Sequence, residues 1–292
     1  MISVVLSVYK NVNLFDITLN SILNQSISEN IEVIVIDDGN TMEDSAYLFN
    51  KCLNEERIKY FKNKENIGLT KSLIRGCNLA NGQYIARIDN GDIMVSENRL
   101  EDQQKILEAY SDVAIVGGAI ELISFTFNKR YISKAIELPP GIIENPKRWT
   151  TLFPHMTVMF RKRAYDLAGG YDKDLKTGQD TDLWPRLLEH GKAYRKNSIF
   201  AIAPMMDESI SVANNTKQYI STSSRNLKRL YTGEFSLKGI KEVLSCTFKI
   251  AIPKMLRLRL MYSNSFTFNG KINTKDKSVF EVLNKLYKEN YE

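Results

Sequence analysis

Gln83-Tyr84-Ile85-Ala86-Arg87-Ile88-Asp89-Asn90-Gly91-Asp92 is a short, β-rich, largely apolar run that stops abruptly in two carboxylates around a glycine. Such a run reads as a buried strand, and in an open α/β sheet the carboxyl ends of the strands carry the ligand chemistry. The plain alternative is an Asp/Asn/Gly turn that closes a strand for conformational reasons alone. The residues on either side weigh between the two.

Upstream, this strand ends a regular alternation. Residues 2–8 are a continuous apolar, β-branched run, read as a buried first strand. Asn11 or Asn13 can cap a helix whose apolar face is Leu14, Ile17, Leu19, Ile22 and Leu23. A second strand over 31–36 ends in Asp37-Asp38-Gly39, and a helix follows through Ala46, Leu48, Phe49 and Leu53. A short third strand covers 58–61. Asn66-Ile67-Gly68 then opens a helix through Leu73 and Leu79 that Asn81-Gly82 stops. The alternation predicts an α/β fold with a parallel, doubly wound sheet. Two of its strands end in paired acids, Asp37-Asp38 and Asp89 with Asp92, and in such a sheet both edges face one crevice.

Downstream, the pattern predicts a helix over 99–110, strands over 113–116 and 120–127, and a further run over 131–138. Residues 139–146 form a Pro/Gly-rich loop, and 156–160 another strand. A helical turn over 164–168 is broken by Gly169-Gly170-Tyr171-Asp172. A helix starts at Gly178 and runs to Glu189, where Gly191 ends it, before a last strand over 194–203. Beyond 206 the chain reads as helical, basic and strand-poor. The expected division is a catalytic domain over 1–205 and a C-terminal extension over 206–292.

Bulk properties narrow the class. The 292 residues are 43% hydrophobic and 25% charged, enough for a sizeable core. Cys52, Cys77 and Cys246 have no C-x-x-C spacing, so neither a disulfide framework nor a zinc site is indicated, and reduced thiols in a cytoplasmic protein are expected. No signal peptide or membrane-spanning run is seen. The net charge of +6 is concentrated in the extension, where 15 Lys/Arg face 8 Asp/Glu. Within it, Leu237, Ile240, Leu244, Phe248, Ala251, Met255 and Leu258 recur at helical spacing, with Pro253 as a kink. Residues 236–261 read either as a helix packed on the catalytic domain or as an anchor on an anionic membrane face. Nucleic acid is not expected as a partner, because no binding module accompanies the basic residues.

Two acidic clusters in one cleft suit a divalent cation, and Mg²⁺ or Mn²⁺ commonly joins one or two carboxylates to the phosphate oxygens of a substrate. A nucleoside diphosphate with a good leaving group is the natural ligand. The Gly-rich phosphate motifs of dinucleotide enzymes, P-loop NTPases and nucleotidylyltransferases are absent. Asp180 and Asp182 form a third cluster at a helix start. Helix capping accounts for Asp182, whereas Asp180 is either a capping residue too or a general base for an acceptor hydroxyl.

Seven motifs in order then build a resemblance. They are Ser-Val-Val-Leu-Ser-Val-Tyr ending at Tyr9, Ile-Asp-Asp-Gly ending at Gly39, Asn-Ile-Gly-Leu from Asn66 and Asp-Asn-Gly-Asp from Asp89. Val-Met-Phe-Arg ending at Arg161, Gly-Gly-Tyr-Asp from Gly169 and Gln-Asp-Thr-Asp-Leu-Trp-Pro-Arg-Leu from Gln179 follow. Over residues 1 to about 205 the chain resembles bacterial family 2 glycosyltransferases of the GT-A fold, a Rossmann-like mixed sheet flanked by helices. The resemblance implies inverting transfer from a UDP- or dTDP-sugar to an oligosaccharide acceptor in surface polysaccharide biosynthesis, such as O-antigen or capsule. An interfacial tail would suit a lipid-linked acceptor and place the enzyme on the inner face of the cell membrane. It further implies Ser7, Tyr9 and Asp37 at the nucleoside, Asp89 and Asp92 at the metal and diphosphate, Asp180 as base, and His155 and Trp184 toward the acceptor; for His155 a purely structural role is an equal alternative. The family's Asp-x-Asp-Asp is broken at Gly91. Either Asp92 carries the metal alone, or metal binding is weakened, or the donor depends less on metal, as in a rhamnosyltransferase-like enzyme. A non-catalytic nucleotide-sugar-binding protein is the rival from another class.

Overall fold

The structure, a computed structural model, describes residues 1–27, 30–124, 129–133, 137–143, 152–205, 220, 223, 224, 227, 237–251 and 266–271. Strands β1 (Ile2–Val8), β2 (Ile31–Asp37), β3 (Ile58–Lys62) and β4 (Tyr84–Arg87) lie side by side, all parallel, in the order β4-β1-β2-β3. Helices α1 (Phe15–Leu23), α2 (Met42–Cys52) and α3 (Leu69–Leu79) are the crossovers. Every residue of β1, β2 and β4 is buried. Their unbroken apolar sequences follow from this, because helices cover both faces of the sheet. Val4, Leu6 and Val8 join the core that holds Phe15, Leu19 and Ile22 of α1 and Leu48 of α2. Val5, between them, points the other way into the core with Leu73 and Cys77 of α3.

The sheet becomes mixed beyond β4. Further elements are β5 (Ile93–Met94), α4 (Arg99–Ala109), β6 (Val113–Ser124), β7 (Lys129–Ser133), β8 (Gly141–Ile143), β9 (Met159–Arg161), α5 (Lys162–Leu167), α6 (Gln179–Leu187) and β10 (Lys192–Met205). Strand β9 is antiparallel to both β4 and β6. Strand β10 runs parallel to β6 and carries β5 and β8 antiparallel. Among the described residues the sheet has eleven strands, with the main order β11 (Phe266–Lys271), β7, β6, β9, β4, β1, β2 and β3. The doubly wound parallel pattern therefore holds for four of them, and the whole is a mixed sheet flanked by helices.

Three expectations change. The strands expected over 113–116 and 120–127 are one, since β6 continues through Gly117-Gly118. A Cβ on Gly117 would lie 2.2 Å from Phe153 Cγ, and one on Gly118 2.5 Å from Phe200 Cδ2. These glycines admit aromatic rings against the strand rather than ending it. The extension contributes α7 (Leu237–Ala251) and also β11 (Phe266–Lys271), which pairs antiparallel with β7. The strand-poor reading missed it, although the alternation of Phe266, Thr267 and Phe268 signals a strand. Within the loop expected over 139–146, residues 141–143 instead form β8, held by antiparallel pairing with β10; its residues 144–146, and the Pro253, Met255 and Leu258 part of the tail stripe, lie outside the described residues. So do residues 125–127 and 134–136 of the expected strand runs. Among the described residues no helix is long and apolar enough to cross a membrane.

Candidate active site

The run that closes β4 is both things the sequence offered, a strand delivering acids and a tight turn. The Asp92 amide donates to the Asp89 carbonyl at 3.0 Å. Gly91, third in that turn, has φ +96°. A positive φ there is the mark of a type II turn and explains a glycine at this position. Helix α1 fastens the corner: Thr18 Oγ1 accepts from the Gly91 amide at 2.8 Å and donates to the Asp92 carbonyl at 2.9 Å.

The corner holds acceptor oxygens that lack donors. Asp92 is only 7% exposed. Its Oδ2, and Oδ1 of Asn90, are buried without a hydrogen-bond partner among the described residues. Burial pushes the Asp92 carboxyl well above the usual carboxylate range, and Asp89 adds to this while Arg87 and Arg99 oppose it. Unmet buried acceptors cost stability unless something donates to them or binds them. Hard oxygen donors of this kind suit Mg²⁺ or Mn²⁺. No group of three His, Cys, Asp or Glu side chains able to hold a metal exists among the described residues, so phosphate oxygens and water would have to complete the shell.

Two arginines behind the corner were not singled out from sequence. Arg87 is wholly buried inside β4, yet its guanidinium donates to Asp89 Oδ1 at 2.5 Å, to the Val5 carbonyl at 2.5 Å and to the Ile88 carbonyl at 3.0 Å. Burial works against its charge, but the Asp89 carboxylate more than compensates and keeps it cationic. Arg99, at the start of α4, is also wholly buried and donates to the carbonyls of Arg87 and Met156, both at 2.8 Å. Burial pulls it down to about 9 despite the opposing pull of Asp92. A charged residue within an apolar run is the one signal that could have marked Arg87, because such a side chain must find a partner.

The carboxyl end of β1 adjoins this corner. Ser7 is 9% exposed and Tyr9 46%. Lys10 and Asn11 are consecutive non-glycine residues with φ of 59° and 45°, a conformation that needs outside support. Asn40 gives part of it, accepting from the Lys10 amide at 2.6 Å and donating to the Val8 carbonyl at 2.9 Å. Asn90 Nδ2 donates to the Asn11 carbonyl at 3.0 Å, which joins this loop to the acidic corner. Lys10 Nζ sits 5.4 Å from the centroid of the exposed Tyr9 ring.

The other residues singled out from sequence fall differently. Asp37 has no exposed surface. It accepts from the Asn40 amide and side chain at 3.0 and 2.8 Å and from Tyr60 Oη at 2.6 Å. Burial would raise its pKa, but bonds from Ser45, Tyr60 and Asn40 outweigh that and hold it below the ordinary value. Asp38, 1% exposed, takes Asn63 Nδ2 at 2.7 Å, Asn66 Nδ2 at 2.9 Å and the amides of Ile67 and Gly68 at 3.0 Å, pinning the entry to α3. The second acidic pair thus serves the protein's own backbone, and Asp37 presents no surface to a nucleoside.

His155 and Trp184 are likewise interior, at 8% and 1% exposure, and neither presents a face to an acceptor. Their rings meet edge to face at 5.7 Å. His155 Nε2 lies 2.7 Å from Tyr171 Oη and 3.4 Å from Arg87 Nε. Burial and the Arg87 charge hold this imidazole neutral, at about 3. Asp182 does not cap α6, whose N-cap is Gly178; it pairs with Arg186 one turn on at 2.6 Å. Asp180 is half-buried in the first turn of α6. It lies near enough to Tyr171 to add to the rise that burial imposes on that phenol.

A profile described as "Glycosyl transferase family 2" matches residues 3–167. EpsE of Bacillus subtilis, named as a glycosyltransferase, is 34% identical over 196 residues, 65% of this chain and 67% of that one. The amylovoran biosynthesis glycosyltransferase AmsE of Erwinia amylovora is 29% identical over 194 residues, 65% of this chain and 71% of that one. Among solved structures, S. aureus TarS 1–349 in complex with UDP-GlcNAc superposes with a TM-score of 0.64 at 15% identity, covering 86% of this chain and 81% of that one. At that identity the likeness shows a shared fold, the GT-A arrangement of a mixed sheet with flanking helices.

Proposed function

The chain belongs to glycosyl transferase family 2, and on that premise we propose that it moves one sugar from a UDP- or dTDP-sugar to a hydroxyl of an oligosaccharide acceptor, by a single inverting displacement. The observation that carries this reading is the acidic corner, with two acceptor oxygens buried and unmet at the carboxyl edge of the sheet. Asp92 and Asp89 would hold Mg²⁺ or Mn²⁺ together with the donor diphosphate, and the cation would offset the charge that develops on the departing diphosphate. Tyr9, exposed at the end of β1, would stack on the base, with Ser7 beside it. Asp180 would take the proton of the acceptor hydroxyl as it attacks the anomeric carbon. The protein's own contribution is otherwise positional: Thr18 sets the corner and Arg87 aims Asp89. That AmsE is named for amylovoran biosynthesis supports a polysaccharide acceptor. Leu244 and Phe248, each 62% exposed and one turn apart on α7, support a peripheral membrane contact and hence a lipid-linked acceptor.

One observation favours a second reading within the same fold. Arg87, wholly buried, already pairs with Asp89 at 2.5 Å, so a donor could bind without a cation. A thermal-shift series separates these. Saturating UDP- or dTDP-sugar with Mn²⁺ is expected to stabilise the protein by about 2.7 kcal/mol at a hundred times the dissociation constant, and EDTA to abolish most of that. A shift that survives EDTA favours the metal-independent form. No shift with any nucleotide sugar would contradict both.

A further inference from the structure

We propose that His155 and Tyr171 are positioning residues, forming a buried strut that fixes the acidic corner against the helix carrying Asp180; this rests on the transfer reaction proposed above. Four polar side chains from three segments stand in series. Asp89 accepts from Arg87 at 2.5 Å, Arg87 Nε reaches His155 Nε2 at 3.4 Å, and His155 Nε2 meets Tyr171 Oη at 2.7 Å. An arginine Nε can only donate, so Nε2 is an acceptor and the imidazole proton sits on Nδ1; the single lone pair of Nε2 is shared between Tyr171 Oη, the short donor, and Arg87 Nε, the long one.

The far end of the series is bound to α6 in two ways. Trp184 of α6 packs edge to face on the His155 ring at 5.7 Å. Arg186 of α6 donates to the carbonyls of Ala168 and Gly170, at 2.5 and 2.7 Å, immediately before Tyr171. Asp180 opens the same helix. Strand β4, the turn before β9, the loop after α5 and helix α6 are therefore clamped at one point.

Packing alone does not call for these groups. Tyr171 and His155 are 4% and 8% exposed and sit among Phe160, Tyr165 and Trp184. Phenylalanine would fill that space without the cost of burying a hydroxyl and an imidazole. What the polar pair adds is direction: its hydrogen bond fixes where the loop that Arg186 of α6 holds stands relative to Arg87, and Arg87 fixes Asp89. A displacement near 1 Å between a base and a donor can cost about a hundredfold in rate.

The test compares wild type, Tyr171→Phe, Asp180→Asn and the double variant for transfer from the nucleotide sugar that wild type turns over. Tyr171→Phe is expected to lower kcat about tenfold to a hundredfold, with the donor KM within about twofold. In the Asp180→Asn background it should cost nothing further, because the base it positions is gone. His155→Gln, which keeps an acceptor, should retain more activity than His155→Phe. A kcat within twofold of wild type for Tyr171→Phe would overturn the strut. So would an equal loss in both backgrounds, the sign of a general structural role. If wild type turns over no donor, the proposed function falls, and the strut is read by hydrogen exchange instead. Tyr171→Phe should then speed exchange of amides 179–187 about tenfold while leaving β1 and β4 unchanged, and equal rates at 179–187 would overturn it.

Discussion

Replacing Gly91 by alanine tests whether the turn at the acidic corner, rather than metal chemistry, sets the residue at this position. At φ +96° an L-residue carries a steric penalty of about 1–2 kcal/mol. The new methyl would lie 3.0 Å from Leu14 Cδ1, the movable end of a side chain, and relief there adds well under about 1 kcal/mol. Against this, alanine gains about 0.4–1 kcal/mol by restricting the unfolded chain. The net expectation is a loss of about 1 kcal/mol, read as a lower urea midpoint with unchanged m, or a melting temperature lower by about 2–4 °C. Asparagine, which tolerates this conformation, should lose about half as much. Because the same turn carries Asp92, Gly91→Ala should also weaken nucleotide-sugar binding. An alanine variant as stable as wild type would show that the positive φ is not enforced, and the explanation of the corner would fail.

Three further outcomes follow. Glu32 is buried, and although burial raises its pKa, bonds from Lys59, Ser3 and Asn81 outweigh this and hold it at about 2 against an ordinary 4.5. That contribution, about 3 kcal/mol, is full above pH 4.5 and is lost as the pH falls toward 2, so Glu32→Gln should destabilise the protein near pH 7 and flatten its acid unfolding in that window. Asp38→Ala strands the amides of Ile67 and Gly68 and the side chains of Asn63 and Asn66, and should cost about 3–5 kcal/mol in chemical denaturation. Replacing both Leu244 and Phe248 by glutamate should abolish co-sedimentation with anionic vesicles while leaving the melting temperature within about 1 °C, since both side chains are exposed; unchanged co-sedimentation would remove the membrane contact.

The parallel half of the fold was legible because its strands are buried on both faces and so read as unbroken apolar runs, as in Ile2–Val8. The antiparallel half was less so. Strand β6 crosses two glycines whose purpose, admitting Phe153 and Phe200, depends on partners distant in sequence. The same limit applies at the site. Asp89-Asn90-Gly91-Asp92 announced a corner, but sequence could not tell it from Asp37-Asp38-Gly39. The two differ in their partners: the second pair is saturated by Asn40, Tyr60, Asn63 and Asn66, whereas Asp92 retains an unmet oxygen. His155 and Trp184 were read toward an acceptor from the family resemblance, which carries no information on burial. Burial alone turns them inward, and burial is set by α6 folding back over β9.

The central claim is that this chain is a transferase with Asp180 as its base. The most direct measurement is sugar transfer by wild type and by Asp180→Asn from the donor that stabilises the protein, with donor affinity determined for both. Transfer by wild type, reduced about 10²–10⁴-fold in the variant with the donor dissociation constant within about twofold, is the predicted result. Undiminished turnover by Asp180→Asn would contradict it.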